Sequence, residues 1–186
     1  SAAYAREFAE VKAIGSATST KRTSAQTALA LFYTESPVTL YNRTFRTIAA
    51  DRSLGSAAAA RLFASLNMAA ADALITCTAD KMHWGFWRPI TAIRLADTDG
   101  NPATTPDPAW TPLVSNPPYP DHPSGYNCFT GAVVHTAKAF FGTDRISFNV
   151  RNAAGVERHY DRFTRVVKDT IDGRIYLGIH FRTPDV

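Results

Sequence analysis

Apolar residues recur at helical spacing through most of the first hundred positions. "TSAQTALALFYTE" and "PVTLYNRTFRTIAADRSL" each place them on one helical face, and Pro37 sits where a first helical turn tolerates it. The longest periodic run, "GSAAAARLFASLNMAAADALITCTADKMHW", extends from Gly55 to Trp84. Its alanines favour helix and close packing, and Ser56 is a candidate cap. A short helix is predicted after Pro89, in "ITAIRLA". The periodicity then stops: eight of the eleven prolines fall between Asp97 and Pro123. A long loop anchored by Trp110 and Tyr119 is the expectation there, since a free linker has little use for large aromatics. Helix resumes at Ser124 and runs to about Phe141. "ISFNV" and "VERHY" flank the turn-rich "RNAAG" as one small hairpin. A last helix occupies "DRFTRVVKDTIDGRIYLGI", and no internal repeat is visible. The pattern predicts an all-α fold, a helical bundle with at most one short β-hairpin, in a single domain over 1–186.

Composition narrows the function classes. With 45% hydrophobic and 19% charged residues, the 186-residue chain reads as an ordinary globular domain. The net charge of +4 suits an anionic ligand, but the basic residues form no stripe, so nucleic acid is not expected as a partner. No apolar run approaches the ~20 residues that span a bilayer, and no membrane span is expected. No signal peptide opens this chain. Cys77 and Cys128, with no CxxC and no His/Cys cluster, read as two thiols rather than a disulfide framework or a zinc site.

Polar chemistry concentrates in three places. Lys81 and Arg88 lie seven residues apart in "KMHWGFWRP", nearly two helical turns, so a continuous helix would give them one face; Gly85 and Pro89 are able to bend it. Around them His83, Trp84, Phe86 and Trp87 make lone cations costly without an anion. In "PSGY", Ser124 is placed to cap a helix or hydrogen-bond an anion, and Gly125 lets backbone approach closely. In "GRIYLGIHFRTPD", Arg174 offers a planar fork for an oxyanion, and a turn at Gly178 would bring His180 to the same point.

In this order (Lys, six residues, Arg-Pro; then Pro-Ser-Gly; then Arg, five residues, His) the motifs resemble the vanadium-dependent haloperoxidases. Type 2 phosphatidic acid phosphatases share that family's core. The "RIYLGIHFR" context and the Pro-rich approach look like the bacterial haloperoxidase branch, and the likeness covers roughly Lys81 to Asp185. The resemblance implies that Lys81, Arg88 and Arg174 bind the equatorial oxygens of vanadate or phosphate, with hydrogen bonds from Ser124 and Gly125. His180 would be the axial metal ligand, or the nucleophile of a phosphohistidine in a phosphatase. Hydrogen peroxide and a halide or organic substrate would be the reactants. The resemblance also favours a secreted or periplasmic location, leaves the oligomeric state open, and implies a chain shortened at one or both ends, because the family continues past Val186 with a further helix.

The sequence departs from the family at the acid–base histidine of Pro-Ser-Gly-His, which is Tyr126 here. Tyrosine titrates near ~10 and histidine near ~6.5, so a tyrosine donates a hydrogen bond at neutral pH but is a poor base. Losing such a group costs about 10²–10⁴ in rate. His122, four residues earlier, and His83 are candidates to supply the lost function. Asp185 stands five positions after His180, where the phosphatases have a carboxylate at four. The expected activity is therefore a haloperoxidase type. An acid phosphatase and a catalytically impaired oxyanion-binding homologue are the alternatives.

Overall fold

Helix-forming periodicity and capping account for most of the backbone. The structure is a computed structural model and describes residues 1–185. Its helices are α1 (Ala2–Ile14), α2 (Ser24–Phe32), α3 (Pro37–Asp51), α4 (Ser56–Trp84), α5 (Pro89–Arg94), α6 (Gly125–Phe141) and α7 (Thr164–Leu177). Short 3₁₀ turns occupy Ala96–Thr98 and Thr183–Asp185. The only sheet among the described residues is the predicted hairpin. Strands β1 (Phe148–Arg151) and β2 (Glu157–Tyr160) pair antiparallel, with Phe148 opposite Tyr160 and Arg151 opposite Glu157. Alanine and leucine spacing marks the helices well; α7 is shorter than predicted because Gly178 takes a left-handed conformation (φ +76°) and ends it. The stretch Ser56–Arg94 is long and apolar enough to cross a membrane by length and composition alone. Its apolarity is largely alanine, which no single hydrophobic run in the sequence reveals.

The chain falls into two compact units. The first comprises residues 1–31, 78–124 and 171–186. Its core gathers Phe8 and Val11 of α1, Ala92 and Ile93 of α5, Trp110 of the Pro-rich loop, Ile175 of α7 and Phe181. Truncating a buried aromatic such as Phe181 to alanine would cost about 3–5 kcal/mol. The loop is pinned as a structured element. Trp110 donates its indole N–H to the Lys12 carbonyl at 3.0 Å, and the Leu113 amide sits 3.0 Å from both the Gly15 and the Leu177 carbonyl. Gly15 and Gly178 meet back to back: a β-carbon on Gly15 would lie 2.5 Å from the Gly178 Cα. Only glycine permits that approach, which fixes where the chain leaves α7 toward His180.

The second unit comprises residues 32–77 and 125–170. On α3, Leu40, Tyr41, Thr44, Phe45, Ile48 and Ala49 form one buried stripe at helical spacing. α3 packs on α6 and β1. Phe163 is the hub of an aromatic cluster with Phe45, Phe141 and Phe148, centroids 5.2–6.0 Å apart. Cys77 and Cys128 are free thiols, Cys77 buried and Cys128 half-buried.

Candidate functional site

Lys81 sits in the last turn of α4, which ends at Trp84. Gly85 then adopts φ +55°, a left-handed conformation that stops the helix. Arg88 is extended (φ −74°, ψ 157°) and precedes Pro89, the first residue of α5. The two cations therefore do not share a continuous helix face as the seven-residue spacing suggested. They converge because the chain bends between them. Both lie beneath the Tyr119 ring, with Lys81 Nζ 5.2 Å and Arg88 Cζ 4.9 Å from its centroid.

The Pro-rich loop supplies the acceptors that hold these cations. Lys81 Nζ donates to the carbonyls of Pro120 (2.8 Å) and Asp121 (2.9 Å). Arg88 donates from Nε to the Tyr119 carbonyl (2.9 Å) and from Nη1 to the Ile179 carbonyl (2.7 Å). Proline has no N–H, so a loop of alternating prolines offers carbonyls to a neighbour without needing as many donors in return. Arg174 lies in the last turn of α7, and Gly178 turns the chain back so that Ile179 and His180 reach Arg88. This is the turn expected from the sequence.

His180 is 4% exposed and its ring is held from both ends. Arg88 Nη1 lies 3.0 Å from Nε2. A guanidinium nitrogen has only protons to offer, so Nε2 must accept with its lone pair. The ring proton is then on Nδ1, which faces Asp121 Oδ1 in close contact. The second Asp121 oxygen accepts the Phe181 N–H at 3.2 Å, and Arg88 Nη1 lies 3.7 Å from Oδ1. Burial, with the charges of Arg88, Arg174 and Lys81, holds the His180 pKa well below the usual histidine range. Burial likewise pushes Asp121 up to about 7, against the opposing pull of Arg88.

The charge balance of this unit is unusual. Lys81, Arg88 and Arg174 are each no more than 7% exposed. The unit also buries the carboxylates of Asp121, Asp172 and Asp185; Asp121 and Asp185 act on Arg88, and Asp121 gives up its proton only near neutrality. Cations buried this deeply carry a large desolvation cost, which a bound anion would offset. Two donors are also left over: Ser124 Oγ and Arg88 Nη2 are buried and have no hydrogen-bond partner among the described residues. Ser124 is otherwise tied by its backbone N–H to the Pro184 carbonyl at 2.7 Å. Buried orphan donors are rare and mark a place where something else accepts.

Of the residues singled out by sequence, Lys81, Arg88, Ser124, Arg174 and His180 are all buried within the first unit. His122 is half-buried there and lines an apolar cavity. His83 is exposed at the end of α4, edge-on to Trp84 with centroids 4.9 Å apart. Gly125 opens α6, and Tyr126 follows it in the second unit, 9% exposed, with its ring edge-on to Tyr33. Two important residues escape the sequence motifs. Asp121 is the carboxylate on His180, the part that the phosphatase pattern assigns to a position close to Asp185, and Tyr119 covers the cations. An acid between a proline and a histidine, directly ahead of the Pro-Ser-Gly stretch, is the available signal for Asp121. A shallow cavity of about 320 Å³, lined by Arg88, Thr91 and the loop from Asn116 to Pro120, opens beside the cluster.

The family described as VCPO second helical-bundle domain matches residues 61–186. The vanadium chloroperoxidase of Curvularia inaequalis is 27% identical over 228 aligned positions, covering 88% of this chain and 37% of that protein. Among solved structures, a bacterial vanadium-dependent iodoperoxidase superposes with a TM-score of 0.82 at 23% identity, over 96% of this chain and 44% of its own. An apo-type bacterial vanadium-dependent chloroperoxidase gives 0.78 at 19% identity, over 98% and 44%. The structural likeness is one of fold, and the chain spans less than half the length of each of these relatives.

Proposed function

The chain belongs to the vanadium chloroperoxidase family, whose second helical-bundle domain it matches, and we propose that the buried cluster is the oxyanion site of a vanadate-dependent haloperoxidase-type enzyme. The observation that carries the reading is the pairing of three buried cations with orphan donors around a neutral histidine lone pair. A tetrahedral oxyanion fits that set. Ser124 Oγ and Arg88 Nη2 offer hydrogen bonds that no acceptor among the described residues takes up, and Lys81 and Arg174 add charge. Gly125 would add its backbone N–H at the start of α6. His180 would supply Nε2, the nitrogen left unprotonated by its present contacts.

Vanadate bound here would supply the Lewis-acidic centre at which hydrogen peroxide is activated to oxidise a halide. The chain's own residues prepare the ground for it. Asp121 fixes the His180 tautomer by accepting from Nδ1, which raises the basicity of Nε2 and sets the ring plane. Arg88, now on Nε2, is a guanidinium with a second nitrogen to spare, so it can turn its fork toward an incoming oxyanion. The cavity beside Arg88 and Tyr119 gives peroxide and halide a route in. Tyr126 stands where the family's acid–base histidine would be. A phenol there holds a proton at neutral pH instead of exchanging it, so turnover is expected to be slow.

One observation favours a second chemistry on the same residues. A neutral, carboxylate-backed imidazole is also the arrangement of a nucleophile, and phosphate would occupy the same cradle as a phosphatase substrate. Bromide-dependent bromination of a dye with vanadate and peroxide, set against phosphate release from an aryl phosphate, separates the two. The haloperoxidase reading expects bromination above background in the wild type and a faster rate, by about 10² or more, in Tyr126→His. Phosphate release without bromination in both proteins would overturn it in favour of the phosphatase. Vanadate binding without either activity would leave the impaired binder.

A further inference from the structure

The hairpin of the second unit carries a polar cluster that the oxyanion chemistry does not use. Its register is pinned from below. Phe148, Val150 and Tyr160 are buried, with Phe148 stacked on Tyr160 at 5.8 Å and packed on Phe163 at 5.2 Å. Side chains alternate between the faces of a strand, so Ser147, Asn149, Glu157 and His159 share the other face and are exposed. Asn149 lies directly opposite His159 in the ladder. Ser147 is then the diagonal neighbour of His159, within reach of an imidazole. The far end of the hairpin is tied down by Arg43 of α3, which donates to the Arg151 carbonyl at 2.8 Å, and by the Ala153 amide, which donates to Glu35 at 2.8 Å.

Hydrogen bonds arrange these side chains in series. The Asn149 amide nitrogen donates to Glu157 Oε2 at 3.4 Å; an amide oxygen in its place would be repelled by the carboxylate. Asn149 Oδ1 is thereby turned toward His159 Nδ1, 2.9 Å away. An amide oxygen only accepts, so in the neutral ring Nδ1 carries the proton and Nε2 the lone pair. Nε2 lies 3.3 Å from Ser147 Oγ, and the serine hydroxyl must be the donor of that contact. A hydroxyl on an imidazole whose tautomer is set by a third group is the arrangement that activates a serine nucleophile. A cross-strand contact that served only stability would not need the tautomer set, and here Asn149 and Glu157 set it.

We propose that Ser147 is the nucleophile of a second, acyl-transfer site, with His159 as its base and Asn149 as the residue that positions the base. Exposure decides the substrate class. Water, rather than preorganised donors, carries the charge that develops on the carbonyl oxygen, so the site suits small acyl groups on good leaving groups, such as acetyl esters of phenols. Ser147 Oγ bonds the acyl carbon as its proton passes to His159 Nε2. The tetrahedral adduct expels the aryloxide, which takes the proton from Nε2 and departs as a phenol. Water then attacks the acyl-serine with the same base, releasing a carboxylic acid and free serine.

The test is p-nitrophenyl acetate as the acyl donor, with nitrophenolate release followed in time and the acetylated residue located by peptide mass mapping. Acetyl is expected on Ser147 in the wild type, and Ser147→Ala should lose both that label and the release that accompanies it. His159→Gln keeps a hydrogen-bonding side chain in the ladder and should slow acetylation of Ser147 by about 10². Asn149→Ala should slow it several-fold, because the imidazole then loses the partner that fixes its tautomer. All three side chains are exposed, so denaturation midpoints should stay close to that of the wild type and the losses report chemistry. Acetyl found only on lysines or the terminal amine, or Ser147 acetylated as fast in His159→Gln as in the wild type, would overturn the proposal. The assay contains no vanadate, peroxide or halide, so its outcome is independent of the haloperoxidase reading.

Discussion

Each compact unit buries a polar network, and the two networks are finished differently. In the second unit, the Tyr33 and Tyr160 hydroxyls meet at 2.5 Å, and Tyr160 donates to Asp169 at 2.8 Å. Arg158 closes the chain on Asp169 at 3.3 Å with its guanidinium still partly in solvent, and its Nε is buried without a hydrogen-bond partner among the described residues. Burial raises both phenol pKa values, so both stay protonated and act only as hydrogen-bonding hydroxyls. In the first unit, three cations are buried with Ser124 Oγ and Arg88 Nη2 left over. The second network joins its hydroxyls to one carboxylate and has its orphan on a half-exposed arginine, whereas the first has its orphan donors on almost fully buried side chains among three cations, where a ligand is able to complete it. On that contrast rests the assignment of one network to folding and the other to function.

The largest expected effect comes from Arg88→Ala. It removes the orphan Nη2 and the cation on His180, and vanadate affinity should fall by about 10² or more, measured by calorimetry. An affinity within a factor of about three of wild type would show that the surplus donors are not aimed at an anion. Next comes Asp121→Asn. It weakens the hold on the His180 Nδ1 proton, and loss of such an orienting partner typically costs about 10–100-fold in metal affinity. Tyr160→Phe tests the other side of the comparison. It should cost about 1–3 kcal/mol of stability in chemical denaturation, because it strands the Tyr33 and Asp169 groups. Vanadate affinity should not move, and a large loss would break the division between the two networks.

The smallest effect is in the pH dependence of the ligand-free protein. Burial raises Asp121 from 3.8 to about 7, so between those values the native state keeps a proton that the unfolded chain releases. That group makes stability fall as pH rises. His180 acts in the opposite sense. Its native pKa lies well below 6.5, so the unfolded chain holds the extra proton and stability rises toward pH 6.5. The two slopes oppose each other in wild type. Asp121→Asn removes one of them, and stability should then climb more steeply with pH below 6.5, by up to about 1.4 kcal/mol per unit. Denaturation midpoints collected from pH 4.5 to 6.5 in ~0.5-unit steps would show it. An unaltered slope would mean that Asp121 is not the buried acid described here.

The fold is legible in the sequence wherever it depends on local pattern. Helical spacing marks α2 to α4 and α6, and the turn residues of "RNAAG" mark the hairpin. The site is legible in part, because Lys81, Arg88, Arg174 and His180 declare their chemistry by residue type, and Gly178 declares the turn. What stays hidden depends on how a loop is draped. Nothing periodic says that the carbonyls of Tyr119, Pro120 and Asp121 wrap two cations, or that the Asp121 carboxylate reaches a histidine fifty-nine residues on. The Lys81–Arg88 spacing leaves a continuous helix face and a bend at Gly85 both open, and the pair meets through the bend, at a left-handed glycine. The tyrosine pair, 127 residues apart, is likewise set by tertiary structure alone.

The most direct test of the oxyanion site is calorimetric titration of orthovanadate into wild type and His180→Ala. One vanadate per chain is expected in the wild type, with affinity reduced by about 10–100-fold when the imidazole is removed and the cations remain. Absence of saturable binding to the wild type, or binding that does not depend on His180, would contradict it.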